Sequence, residues 1–537
     1  MSKFNTATAK PRTTSPVKTA KTPTGRTFNG APGFARDAKS ELFLLAVTNM
    51  VGENTYYERA DQRDARFEQL VHQVALEDPD WLVRMIPWLR NEANMRSASL
   101  VMAAELVKAR IDAKVVEDGE GVGTVFEVRG FNRRAIDAAC QRADEPAELL
   151  AYWISKYGKA MPKPVKRGLG DATRRLYNER SLLKYDSKGD AVRMGDVLEL
   201  VHPGPAVGKA WQGDLFEHAI DRRHDREDPE NPASARLKTI TARKELTSLD
   251  AEEKAALLAS DDASEQLAKA GMTWEATAGW KQGAMDGATW EKQIPTMGYM
   301  ALIRNLRNFD EKKISEGAAN AVAARIANLD EVRKSRQFPF RFLAAYKHSG
   351  LRWAWPLEQA LNMSLENVPS LPGRTLVLVD RSGSMFGGIS EKTQLNRADS
   401  AALFGTALAL RAEKADLVQF GSSSHEVRFR TGDSVLKLID RFTDLGGTST
   451  QQAVSTHYKA HDRVIILTDE QADYHGAWDV TAAVPKTVPV YTWNLAGYRY
   501  GHAPSGSENR HTFGGLTDQA FRLIPLLEAG RNGTWPF

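Results

Sequence analysis

The sequence predicts a multidomain chain. An α-helical repeat body over residues 31–370 is followed by an α/β doubly wound domain over residues 371–537, and a disordered basic arm over residues 1–30 precedes both. Three observations predict this. Apolar residues recur at three- and four-residue intervals from about residue 36 to 365. Strand-like apolar runs alternate with helix-like runs after residue 371. Residues 1–29 hold six bases, no acid and almost no large apolar side chain.

Taken in chain order, the arm is rich in Thr, Pro, Lys and Ala, and cannot bury enough surface to offset the entropy of ordering it. A solubilising tail or non-specific RNA affinity is expected of it. The body reads as many antiparallel helices, among them ELFLLAVTNM, PDWLVRMIPWLRNEA, SASLVMAAELVKARI and PAELLAYWISKYG. Pro79, Pro146 and Pro356 stand where helices would begin. Residues 221–265 interrupt the pattern with 12 acids and 8 bases, and read as one or two solvated helices with a flexible lead-in. Beyond LPGR (371–374) come TLVLVD, DLVQFG, DRVIILTDE and VPVYTWNLA as strands, with 396–415, 433–442 and 518–530 as helices. Strands alternating with helices imply a parallel sheet covered on both faces.

Composition narrows the class. At 537 residues, 42% hydrophobic and 26% charged, the chain is neither wholly disordered nor fibrous. The 72 Lys+Arg and 68 Asp+Glu leave a net charge of +4, and outside the arm the balance is −2. Any nucleic-acid site must therefore be a local basic cluster. Cys140 is the single cysteine, which excludes an internal disulfide and a Cys-rich zinc site and suits a reducing cytosol. No apolar run of ~18 residues predicts a transmembrane helix, and no apolar signal core opens the chain. A cytoplasmic protein without a membrane partner is expected.

The sharpest chemical signal follows the strand TLVLV. Asp380, Ser382 and Ser384 form a D-x-S-x-S turn at the C-terminal end of a parallel strand, where α/β sheets bind ligands. Thr448 in a Gly-Gly-Thr segment and Asp469 at the end of VIILTD supply matching oxygens from the same sheet edge. Two carboxylates and three hydroxyls make a hard, oxygen-only site suited to Mg²⁺ or another divalent cation. The set resembles the metal-ion-dependent adhesion site (MIDAS) of von Willebrand factor A domains, in which a partner's acidic group often completes the coordination. The bland reading is that Asp380 and the serines cap the next helix. An aspartyl-phosphate enzyme is disfavoured, because the position two residues after Asp380 is Ser382 rather than an acid.

Residues 156–184 carry nine bases and two acids, and residues 333–347 carry five bases and no acid. Such clusters on a helical scaffold pair with phosphates without sequence choice. Lys163, Lys166, Arg167, Arg174, Arg175 and Lys184 from the first, with Arg336 and Arg341 from the second, are candidate RNA contacts. Tyr157, Tyr177 and Tyr185 are candidates for stacking on bases. Arg304 and Arg307, on an Arg-Asn-Leu-Arg-Asn stretch, suit an inner helix facing a pore and equally suit inter-helix hydrogen bonding. Arg96 is a similar case weighted toward structure.

The segments LELVHP (198–203), WEKQIPTMGYMALIRNLRN (290–308) and VRKSRQFPFRFL (332–343) resemble the TROVE module of the Ro ribonucleoprotein autoantigen family, and a bacterial member of it most of all. The resemblance spans roughly residues 35–537 and implies a ring of HEAT-like repeats followed by a von Willebrand A-like domain. It further implies a non-enzymatic RNA-binding protein, monomeric within a ribonucleoprotein. Such a protein would bind small noncoding Y RNA on the ring's outer face and single-stranded 3′ ends of structured or misfolded RNA in its central hole. Its place would be in RNA quality control or decay, with polynucleotide phosphorylase as a partner through the RNA. One triplet departs from the family: Arg193-Met194-Gly195 stands where a Ser-His-Lys-like triplet is usual. The alternatives are a metal-dependent protein-interaction adaptor, in chaperone action or complex assembly, and a nuclease. The nuclease is disfavoured because no paired catalytic carboxylates or nucleophile set emerges.

Overall fold

The computed structural model describes residues 12–48, 51–115, 130–226, 236–389, 396–476 and 478–537. Helices run from Ala38–Thr48 to Ala354–Ser364, and their apolar faces explain the arrangement. Pro79–Asn91 is representative. Asp78 caps it by accepting from the Trp81 amide, Pro79 opens its first turn, and Trp81, Leu82, Met85, Ile86 and Leu89 turn inward. Arg96–Asp112 is buried nearly all round, because Ala60–Glu77, Pro79–Asn91 and Phe131–Ala139 all pack against it.

The helical core is a succession of clusters along the chain, as expected when each helix pair packs only on its neighbours. The path then returns on itself. Arg336 donates to Asn91 Oδ1 at 3.1 Å, and Phe338 packs against both the earliest and the latest cluster. The last residues come back as well: Trp535 and Phe537 pack edge-on or tilted among Phe43, Trp81 and Trp88. In the acidic stretch, Ala251–Ala259 buries nothing, whereas Lys238–Ser248 buries Ile240, Ala242 and Leu246. Residues 227–235, the expected lead-in, lie outside the described residues.

The C-terminal sheet has six strands in the order Ser424–Glu426, Ala412–Phe420, Leu371–Asp380, Arg463–Thr468, Val490–Asn494 and Arg510–Gly514. All pairs are parallel except the antiparallel edge strand Ser424–Glu426. Arg510–Gly514 was not among the expected strands, since RHTFG lacks an apolar run. A single apolar cluster joins the last helices to this domain, so residue 370 separates topologies rather than cores. Arg411 reaches back across that point to the Val368 carbonyl at 2.6 Å.

The arm departs from expectation. Residues 12–30 are ordered, and residues 1–11 lie outside the described residues. Gly25–Arg26 and Pro32–Ala35 form a hairpin whose second strand pairs with Tyr500–Gly501. The Thr13 amide donates to Asn509 Oδ1, and the Thr19 amide to the Ser505 carbonyl. Few apolar side chains are needed here: Val17, Ala31 and Phe34 are buried. The segment is held by backbone and hydroxyl hydrogen bonds to the sheet domain, for which its Thr and Ser content is well suited.

Candidate metal centre and candidate RNA interface

The parallel register gathers the candidate ligands. Val379 pairs with Leu467, so Asp380 stands level with Thr468, and Asp469, one residue on, emerges at the same sheet edge. The Gly383 amide donates to the Gly446 carbonyl at 2.6 Å, tying the D-x-S-x-S turn to the Gly-Gly-Thr loop. The Thr448 amide donates to Asp473 Oδ2 at 2.7 Å, tying that loop to the segment after Asp469. Gly446 has φ +76°, and a Cβ on Gly447 would lie 2.9 Å from Asp473 Oδ2, so each glycine is required for its own reason.

Asp380, Ser382, Ser384, Thr448 and Asp469 are each at most 3% exposed. Ser382 Oγ lies 3.3 Å from Ser384 Oγ, and Asp380 accepts from the Ser382 amide and from Thr468 Oγ1. Asp469 Oδ2 is buried with no hydrogen-bond partner. Burial, then the neighbouring Asp469, pushes the Asp380 carboxyl well above the usual carboxylate range, and burial raises that of Asp469. Two buried carboxylates, one oxygen orphaned, with hydroxyls around them, are the donor set a hard divalent cation takes. Among the described residues no group of three or more His, Cys, Asp or Glu side chains is placed to hold a metal, so a cation site here has to rest on hydroxyls.

Sequence reasoning missed the neighbours of this cluster. Asn29 Nδ2 donates to Thr448 Oγ1 at 3.2 Å, and Tyr57 Oη donates to Asn29 Oδ1 at 2.6 Å. Burial and the charge of Asp469 push the Tyr57 phenol up to about 12, which keeps it a donor. Neither residue belongs to a recognisable local motif.

The basic clusters sort by what they touch. Arg142, Arg180, Lys184, Arg304 and Lys334 line one cavity of about 730 Å³, together with Tyr185, Trp274 and Tyr299. Glu275 is the only acid among the described residues of its lining. Arg142 pairs with Asp144, while Arg180, Lys184, Arg304 and Lys334 face no carboxylate within ion-pair distance among the described residues. Two stretches that are remote in sequence thus meet across one space, and Tyr185 sits against both Lys184 and Arg142.

Other expected contacts have structural employment. Arg175 holds Asp137 and the Cys140 carbonyl, and Arg174 holds Asp171 and the Gly204 carbonyl. Arg307 is not among the described residues of the cavity lining and pairs with Glu311 at 2.7 Å. Arg336 is engaged with Asn91. Arg341 is half-buried, its guanidinium pKa lowered by burial and then by Arg304. Tyr177 is 3% exposed and cannot stack on RNA, and the Tyr157 hydroxyl is bound by Glu105. Arg96 is held by Asp144, Glu145 and Glu148, as its structural weighting anticipated. Arg193 is buried against Asp186, so its charge is not offered to a ligand. Lys163, Lys166 and Arg167 have no ion-pair partner among the described residues and stand on the helix Lys163–Leu176, outside the cavity lining.

Fold and sites together define a helical-repeat body, closed on itself and carrying an A-type α/β domain. Residues 267–352 match the family model of the TROVE domain, a span that contains two of the three segments carrying the resemblance. The crystal structure of the RO (RSR) protein of Deinococcus radiodurans has the same fold. It aligns with a TM-score of 0.59 over 91% of this chain and 100% of that one, at 17% identity. The resemblance to a bacterial Ro protein therefore stands on both a sequence segment and a fold. No curated protein matches the chain. No helix among the described residues is long and apolar enough to cross a membrane.

Proposed function

We propose that this protein is a non-enzymatic RNA-binding scaffold. Its basic cavity takes single-stranded 3′ ends of structured or misfolded RNA, and its outer helical face takes a small noncoding Y-type RNA. The observation that carries this reading is the cavity: four bases without an ion-pair partner among the described residues, three aromatic rings and one acid, drawn from distant segments. Phosphates would meet the cations and unstacked bases the rings, without base-edge reading. Cys140 is buried and burial raises its thiol pKa, so this side chain is not offered as a nucleophile. A cytoplasmic, monomeric ribonucleoprotein, delivering RNA to polynucleotide phosphorylase, is the setting we propose. The primary test is crosslinking in cells followed by sequencing of the bound RNA. One dominant small RNA plus heterogeneous fragments with free 3′ ends is expected, and recovery of no RNA above background would overturn the reading.

Two smaller tests separate the surfaces. Reversing Lys166 and Arg167 is expected to lower the affinity for a structured small RNA and to reduce its salt slope by about 1 to 2. Binding of a short single strand should stay unchanged, as these residues lie outside the cavity lining.

In the A-type domain, Asp380, Ser382, Ser384, Thr448 and Asp469 would hold Mg²⁺, which would supply the positive charge that two buried carboxylates lack. Asp380→Ala is expected to abolish Mg²⁺ uptake in calorimetry and to leave RNA affinity unaltered.

A further inference from the structure

The hairpin tip of the N-terminal segment lies directly on the candidate metal centre. Thr27 Oγ1 donates to the Ala472 carbonyl at 2.8 Å, and the Phe28 amide donates to Gln471 Oε1 at 2.9 Å. Asn29 Nδ2 donates both to the Gln471 carbonyl at 2.9 Å and to Thr448 Oγ1 at 3.2 Å. Gly30 forms a bridge with Asp473. These contacts follow the loop after Asp469 residue by residue.

A second segment closes the same face. Tyr57 lies between the helices Ala38–Thr48 and Ala60–Glu77, and so belongs to the helical body. Its hydroxyl donates to Asn29 Oδ1 at 2.6 Å. Its ring stacks on Phe28 at 4.8 Å and meets Tyr498 edge-on at 5.6 Å. The groups that close over the cluster are therefore a side-chain amide and a phenol, neither of them acidic.

We infer that the chain seals its own metal centre: Asn29 and Tyr57 form a lid over the carboxylate–hydroxyl cluster, and a bound cation staples the N-terminal hairpin, the helical body and the A-type domain together. This rests on reading the cluster as a cation site. An acidic partner has no free approach, because the ligands are buried and the lid covers the face it would use. The centre then acts on the junction within the chain rather than on an outside protein.

Mn²⁺ is the probe, with the full chain. Wild-type protein loaded with Mn²⁺ is expected to show low water-proton relaxation enhancement that acetate does not change. Asn29→Ala combined with Tyr57→Phe should raise the enhancement severalfold and make it sensitive to acetate. Tyr57→Phe alone, the milder variant, should move in the same direction. In wild type, Mg²⁺ should slow hydrogen exchange at the amides of residues 25–31, and in Asp380→Ala it should not. Mn²⁺ uptake with high, acetate-sensitive enhancement already in wild type would overturn the seal alone. Failure of folded wild type to take up Mn²⁺ would overturn the cation reading and the staple with it.

Discussion

Replacing Lys184, Arg304 and Lys334 together by glutamate is expected to weaken binding of a labelled single-stranded RNA by about two orders of magnitude, at ~1 kcal/mol for each of three partly exposed charges facing phosphate. The three come from different helical segments and converge on one cavity, with no carboxylate partner of their own among the described residues. A phosphate entering it displaces no existing ion pair of theirs. The salt dependence should fall with the affinity, by ~0.7 in slope for each phosphate of the single strand that is no longer neutralised. Fluorescence anisotropy across a salt series reads both quantities. Arg307→Gln is the control, because Arg307 sits one helical turn from Arg304 yet is not among the described residues of the cavity lining and pairs with Glu311. It should change neither quantity. If the triple variant bound RNA normally, the cavity would not be the strand's path.

Arg36→Ala is expected to lower stability by about 3–5 kcal/mol, the usual cost of removing one partner from a buried ion pair. The side chains of Arg36 and Glu470 are 0% and 1% exposed, and they pair directly. Arg36 also donates to the Tyr498 carbonyl at 2.8 Å. Deleting the guanidinium leaves the Glu470 carboxylate with the Asn494 amide as its remaining side-chain donor among the described residues. Arg36→Lys should recover part of the loss, since an ammonium restores charge but not the planar fork that spans both partners. The measurement is thermal denaturation together with limited trypsin digestion. Cleavage within residues 12–35 should accelerate in Arg36→Ala, because this pair anchors the segment just after its second strand. An unchanged digestion pattern would show that the hairpin's backbone pairing holds it unaided.

The sheet domain was legible in detail because its signals are local. A buried parallel strand writes itself as a continuous apolar run, and the turns that carry Asp380 and Asp469 follow such runs directly. Thr448 lies after a helix instead, and only its Gly-Gly-Thr segment marked it as their neighbour. Arg510–Gly514 escaped for the converse reason, being buried in the sheet without an apolar run. The arm was misjudged because hydrogen bonding to a distant edge leaves no apolar pattern in the sequence.

Local patterning marked the helical and α/β halves, the oxygen-rich segments and the surplus positive charge. Which of those charges lack a partner follows from packing alone. Arg175 and Lys184 belong to one basic stretch, yet one is spent on Asp137 while the other lines the cavity. Arg142 joins that cavity from outside both basic stretches, and nothing local distinguishes Arg180 and Lys334 from their basic neighbours. The same holds for Asn29 and Tyr57, which reach the carboxylate–hydroxyl cluster from segments far away in sequence. The physical reason is common to both cases. Composition and periodicity report the energetics of short segments, whereas ion pairing and the closure of a site depend on which segments the packed core brings face to face.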